Sequence, residues 1–157
     1  MPHLLVAGKL HPSGLDLLRA APVTFDYVEE ISEPSYQAYL AKADALVIRT
    51  QPLSAASIAK APGLKIVSRH GVGYDAVDVP ALNARGIPLC IVGDVNSSGV
   101  AEHAMMLILA ATHRLIAADR ATRGGDWAWR NGLQTHEVAG KRLLVVGFGR
   151  IGQKLAG

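Results

Sequence analysis

Three observations predict a parallel α/β fold. Short apolar runs recur along the first half of the chain: HLLVA, ALVIR, KIVSR, IPLCIV. The segments between them carry helical spacing, prolines at first turns or cap residues. Half of the 157 residues are hydrophobic and only 18% are charged, which suits a sheet covered on both faces. The mean hydropathy of +0.22 excludes a disordered chain.

Each element follows from its own signals. His3–Ala7 reads as a buried strand, and Pro12–Ala20 as a helix with Leu15, Leu17 and Leu18 on its apolar face. Val23–Tyr27 is a weaker strand, followed by a short helix over Pro34–Ala41 that proline opens at its first turn. Ala45–Arg49 is a third strand. Ser54–Lys60 is a helix with Ser54 as its N-cap, and Lys65–Arg69 is a fourth strand. Val79–Arg85 is a helical turn closed by Gly86, and Ile87–Val92 a fifth strand. The first module therefore closes near Gly93.

The next segment changes character. Ser98–Arg123 carries Val100, Ala101, Ala104, Met105, Ile108, Leu109, Leu115 and Ile116, with Gly124 and Gly125 behind it. It predicts one long helix, apolar nearly all round in its first half. Such a helix is buried by a second layer or a second subunit, and its length favours the subunit. Trp127 and Trp129 lie in a loop. Arg142–Val146 (RLLVV) predicts a sixth strand running into glycines.

Two glycine loops carry the chemistry. Gly147-Phe148-Gly149-Arg150-Ile151-Gly152 follows RLLVV and precedes the helix-compatible Gln153–Ala156. That is the dinucleotide-binding pattern in its required context. Gly147 makes the turn, Gly149 lets backbone approach a pyrophosphate, and Gly152 lets helix and strand pack. Free amides at the helix start supply the anion site. The second loop, Gly71-Val72-Gly73-Tyr74-Asp75-Ala76, follows KIVSR, but Val77-Asp78-Val79-Pro80 interrupts any long helix behind it. Its consecutive amides suit a small carboxylate. Ligands of parallel sheets sit at the carboxyl ends of the strands. Arg49 ends ALVIR and Asn96 lies just past the fifth strand, so these two and the Gly71 loop point to an oxyacid pocket.

Composition narrows the partners. Sixteen Lys and Arg against thirteen Asp and Glu leave a net charge of +3, scattered without a basic run, so nucleic acid is not expected. The single cysteine, Cys90, cannot form an internal disulfide, and no Cys/His spacing suits zinc, so no metal is expected. Met1-Pro2-His3 lacks the basic start of a secretion signal. Ala104–Ala111 is too short an apolar stretch to span a bilayer. A cytoplasmic protein without a membrane partner is the expectation. A receiver domain is disfavoured, because HLLVA is not followed by an acidic pair for a metal.

The stretch SRHGVGYDAVDVPALNARGIPLCIVGDVNSSGVAEHAMMLILAATHRL, with GDW and then VAGKRLLVVGFGRIG, resembles the D-isomer-specific 2-hydroxyacid dehydrogenases. That family includes phosphoglycerate, glyoxylate/hydroxypyruvate and formate dehydrogenases. The resemblance covers the whole chain and is strongest from Ile48 onward. It implies a flavodoxin-like substrate domain over residues 1–95, then the beginning of a Rossmann NAD-binding domain over 96–157 that carries a dimer-type helix. It also implies a homodimer, NAD or NADP as cofactor, and hydride transfer at C2 of a small 2-hydroxy or 2-keto acid.

Carried over by position, Val72 and Gly73 match the backbone donors to the substrate carboxylate. Asn96 matches a polar residue facing the substrate, and Arg49 is similar to a substrate-side arginine. Val100 matches a nicotinamide-side contact, and Arg150 and Ile151 match pyrophosphate contacts beside Gly147, Gly149 and Gly152. Ala76 departs from the family's usual asparagine. Glu102 and His103 belong to the helix motif as structural residues.

The family's catalytic arginine, carboxylate and histidine all come after the glycine fingerprint. They are therefore expected beyond residue 157, and none of the histidines at 3, 11, 70, 103, 113 and 136 fits the catalytic place. On this reading the 157 residues alone form an inactive N-terminal part. The rival from another class is a non-catalytic, dinucleotide-sensing or dimerising regulatory module. An Arg, Glu and His series encoded downstream separates the two.

Overall fold

The computed structural model describes all residues, Met1–Gly157. The chain divides into two compact units, Met1–Gly93 and Asp94–Gly157.

The first unit is built on five parallel strands: β1 (His3–Ala7), β2 (Thr24–Val28), β3 (Ala45–Ile48), β4 (Ile66–Arg69) and β5 (Leu89–Ile91). Their order across the sheet is β2-β1-β3-β4-β5, the flavodoxin-like order. Four helices connect them: α1 (Pro12–Ala20), α2 (Glu33–Gln37), α3 (Ala55–Ala59) and α4 (Val79–Ala84). The apolar runs explain why these segments are strands. Leu5, Val6 and Ala7 are consecutive and all buried, which requires cover on both faces. Leu46, Ile48 and Val67 from β3 and β4 join them, with Tyr36, Leu40, Ile58 and Leu82 from the connecting segments.

Local chemistry sets the ends of the helices. Ser54 Oγ accepts from the Ser57 amide at 3.2 Å, and Asp78 Oδ1 accepts from the Ala81 amide at 3.0 Å, each satisfying a donor that the first turn leaves free. Gly86, at φ +64°, turns the chain out of α4. Boundaries shift modestly from the sequence expectation. The helix expected over Pro34–Ala41 is α2 plus a 3₁₀ turn at Leu40–Lys42, and the fifth strand shortens to Leu89–Ile91.

Near the amino edge of the sheet, Asp26 Oδ2 lies 2.8 Å from both His3 Nε2 and Lys42 Nζ. Burial pushes the Asp26 carboxyl up, but hydrogen bonds from Lys42 and His3 outweigh it and hold the group below its ordinary value of 3.8. A depressed carboxylate contributes stability above its unfolded pKa and loses it as pH falls through the folded one. Lys42→Met should therefore lower the melting temperature at neutral pH. The gap should be small, within about 1 kcal/mol for so open a pair, and should close as pH falls below about 4. A gap unchanged through acid titration by circular dichroism would count against this pairing.

The second unit corrects two expectations. The single helix expected over Ser98–Arg123 is two helices, α5 (Ser97–Thr112) and α6 (Leu115–Arg123), bent by 59°. Arg114 between them is left-handed, at φ 51°. The Thr112 hydroxyl donates back to the carbonyls of Ile108 at 2.9 Å and Leu109 at 3.1 Å, competing with the continuing ladder. The Arg114 amide then closes a tighter turn on Ala111. Within one chain only Ser97 and Ala101 of α5 are buried, while Met105, Met106, Leu107 and Leu109 are 37–53% exposed.

Finally, Arg142–Val146 is not a strand. It pairs with no member of the sheet, and a strand exists only where its amides and carbonyls find a partner. Its Leu144 and Val146 are 85% and 90% exposed. The chain continues to the last helix, α7 (Arg150–Ala156).

Candidate functional site

The sheet order places one switch point in the first unit. The chain leaves β1 outward to β2, then crosses back to β3 on the other side. Gly8 after β1 and Arg49 after β3 therefore flank the gap where ligands of such sheets bind. Arg49 is exposed. Its amide donates to the Ala7 carbonyl at 3.0 Å, and its Nη1 reaches the Lys9 carbonyl at 3.4 Å.

The Gly71 loop leaves the neighbouring strand. Ile48 of β3 stands opposite Arg69 of β4, and the His70 amide donates to the Ile48 carbonyl at 2.7 Å. Register thus sets Arg49 and the Gly71 loop side by side at one sheet edge. Gly71 leaves room for the Arg69 guanidinium, which lies 2.3 Å from where a Cβ would stand and folds back onto the His70 carbonyl at 2.7 Å. The next two amides, Val72 and Gly73, donate to no acceptor in the chain. Gly73 is exposed and Val72 half-buried. Two adjacent, unpaired, accessible donors beside a guanidinium can hold a carboxylate.

The far end of the loop is fastened by backbone. Leu53 donates to the Ala76 carbonyl and accepts from the Asp78 amide, both at 2.9 Å, an isolated parallel bridge between Leu53 and Val77. Ala76 therefore holds the loop without needing a polar side chain. Sequence reading missed this clasp, because Leu53 looks like an ordinary core residue. The one histidine–carboxylate pair is His3 with Asp26, at the opposite edge, and His70 is exposed.

In the second unit, Asn96 takes the N-cap position of α5 without a capping side-chain bond, and Val100 is 39% exposed in the first turn. The Ser97 hydroxyl donates to Asp94. Lys154 of α7 reaches Ser98 Oγ at 3.0 Å, so the start of α5 and the fingerprint helix are tied together. Gly147 turns at φ +94°, and Gly149 is the extended cap of α7. A Cβ on Gly152 would lie 2.3 Å from the Gly147 carbonyl oxygen, so this helix seats on its own turn only because residue 152 lacks one. The amides of Arg150 and Ile151 open the helix without intrahelical acceptors. This cradle fits a pyrophosphate.

Residues 4–142 match the profile of the catalytic domain of the D-isomer specific 2-hydroxyacid dehydrogenases. The chain belongs to this family.

Among curated 2-hydroxyacid dehydrogenase relatives, D-3-phosphoglycerate dehydrogenase of Mycobacterium tuberculosis is 40% identical over 157 residues, covering 99% of this chain and 29% of its own length. The NAD-dependent formate dehydrogenase of Staphylococcus aureus, solved in complex with NAD, superposes with a TM-score of 0.83 at 26% identity. The match covers 98% of this chain and 52% of that one. The NADPH-dependent glyoxylate/hydroxypyruvate reductase of Sinorhizobium meliloti superposes with a TM-score of 0.75 at 29% identity, covering 99% and 49%. The chain thus spans under a third of the phosphoglycerate dehydrogenase and about half of each solved relative. A nicotinamide dinucleotide is the cofactor class of both solved neighbours.

Proposed function

We propose that this dehydrogenase chain supplies the substrate-carboxylate loop and the pyrophosphate loop of an NAD(P)-dependent oxidoreductase acting on small 2-hydroxy or 2-keto acids. The observation that carries the reading is the pair of unpaired amides at Val72 and Gly73, on the same sheet edge as Arg49. These amides hold the acid's carboxylate and so fix where C2 stands. Arg49 adds a cation on the substrate side, and Asn96 a polar contact. Gly147, Gly149, Arg150, Ile151 and Gly152 take the pyrophosphate, and Val100 packs beside the nicotinamide. When bound, the nicotinamide exchanges a hydride with C2. The division of labour is a substrate domain over residues 1–95 and a cofactor domain beginning at 96. NAD is the cofactor proposed, with NADP as the alternative.

None of these 157 residues matches the family's catalytic arginine, carboxylate and histidine, so the 157-residue chain alone turns nothing over. It also holds dinucleotide feebly. Two or three charge-assisted bonds of roughly 1.5–3 kcal/mol each barely offset an association cost of about 4–15 kcal/mol. Calorimetric titration with NADH should therefore find nothing tighter than about millimolar. A chain extended to carry that arginine, carboxylate and histidine should reduce or oxidise at least one of lactate, glycerate, glyoxylate, hydroxypyruvate and phosphoglycerate, followed by nicotinamide absorbance. Tight dinucleotide binding by that extended chain without turnover would instead support a sensing module.

The assembly proposed is a homodimer seamed by α5, whose exposed Met105, Met106 and Leu109 share one apolar face. Met105→Asp with Ile108→Asp should halve the mass measured by light scattering, and an unchanged dimer would exclude this seam. No single helix is long and apolar enough to cross a membrane; α5 and α6 pass that test only as a bent pair. The location proposed is the cytoplasm.

A further inference from the structure

Gln51 is a buried polar side chain that the carboxylate-binding reading leaves without a role. It lies two residues past Arg49 and is 1% exposed. Its Oε1 accepts from the Thr50 amide at 3.0 Å, and its Nε2 donates to the Glu30 carbonyl at 2.9 Å. Glu30 lies in the segment after β2. Gly8, after β1, leaves the space the carboxamide occupies: a Cβ there would stand 2.8 Å from Oε1 and 3.1 Å from Nε2. One carboxamide therefore lies where the segments following β1, β2 and β3 converge, at the switch point of the sheet.

The consequence falls on Arg49. Its own amide is tied to Ala7 at 3.0 Å, and the next amide, Thr50, is tied to Gln51. The backbone on both sides of the Arg49 Cα is thus held by named bonds, and the guanidinium starts from a fixed base. An apolar residue would fill the same volume but leave the Thr50 amide and the Glu30 carbonyl without these partners, so the segment would settle elsewhere.

We propose that Gln51 is the positioning residue for Arg49: it locks the β3 exit so that the guanidinium, which here rests on the Lys9 carbonyl at 3.4 Å, turns from a fixed base to a ligand held on the Val72–Gly73 amides. This rests on the proposed carboxylate site, and the test separates the two. The 157-residue chain is titrated with tartronate, a small 2-hydroxy dicarboxylate, while the amide resonances of Val72 and Gly73 are followed by NMR. The titration is repeated for Gln51→Met, for Arg49→Ala and for the double variant. Gln51→Met should weaken tartronate about fivefold when Arg49 is present and less than about twofold when it is alanine, the non-additivity expected of coupled residues.

A residue that merely supports the fold would lower the melting temperature but weaken binding equally in both backgrounds, and that equality overturns the proposal. Val72 and Gly73 resonances that stay still in the unsubstituted chain overturn the carboxylate site itself, and the role of Gln51 with it. Should Gln51→Met fail to fold, Gln51→Glu carries the same cycle. It keeps the acceptor for Thr50, loses the donor to Glu30, and should show the same dependence on Arg49.

Discussion

Replacing Gly8 by alanine should lower the melting temperature of the first unit by well over ten degrees. Two independent penalties meet at this residue. Its φ of +109° lies where side chains are strained, at about 1–3 kcal/mol. The added Cβ would also stand 2.6 Å from Arg49 Cβ and 2.8 Å from Gln51 Oε1, and overpacking of this kind adds roughly 1–3 kcal/mol. About 3 kcal/mol in all corresponds to a shift of roughly 12–24 °C for a unit of this size. Thermal denaturation followed by circular dichroism measures it. A shift of only a few degrees would mean that the β1 exit rearranges freely, and the picture of a tightly held switch point would have to go.

The second large effect is expected at Gly152, whose φ is not at issue. Its missing Cβ is the space taken by the Gly147 carbonyl oxygen at 2.3 Å, with Val145 Cγ1 at 3.3 Å. The nearest atom is backbone, so no side-chain rotation relieves the clash, and Gly152→Ala must push α7 off its turn. Losing one or two charge-assisted hydrogen bonds to the pyrophosphate, roughly 1.5–3 kcal/mol each, weakens binding about a hundredfold. The dinucleotide dissociation constant of the extended chain should rise by that order, read by NADH fluorescence. Gly149→Ala is the informative partner. Nothing lies within 4 Å of a Cβ at Gly149, so this variant should keep the melting temperature while still obstructing the pyrophosphate. If both variants lose stability equally, the two glycines do not have the separate roles argued for them.

Much of the sheet was legible in the sequence, because a strand buried on both faces leaves an unbroken apolar run. Leu5, Val6 and Ala7, and the ALVI segment, state their burial directly. The cap at Ser54 was equally plain. The turn over Gly71–Ala76 was legible too, since glycines directly after an apolar strand mark a loop. What was not legible depends on partners. RLLVV has every local property of a strand, yet extended backbone without a neighbouring ladder is not one. The bend at Arg114 was hidden for a different reason: apolar spacing runs from Ile108 through Leu115 without a break, and no glycine marks the left-handed residue at 114. Gln51 was invisible because a single glutamine in a loop carries no pattern; its role comes from Glu30 and Gly8, far away in sequence.

The order β2-β1-β3-β4-β5 also has a consequence for synthesis on the ribosome. A chain emerging from its N-terminus first makes β1, then β2, which covers one edge of β1. The other edge of β1, with Leu5, Val6 and Ala7 beside it, stays open until Ala45–Ile48 has been translated. From then on each new strand is laid on the outside of the last, β4 on β3 and β5 on β4. The nascent sheet thus grows in one direction from a single free edge, with no later strand having to be threaded between earlier ones. The exits of β1 and β3, with Gly8, Arg49 and Gln51, come together before the Gly71 loop exists. The β1 and β3 side of this end of the sheet is therefore in place first, and the Gly71 loop is built against it.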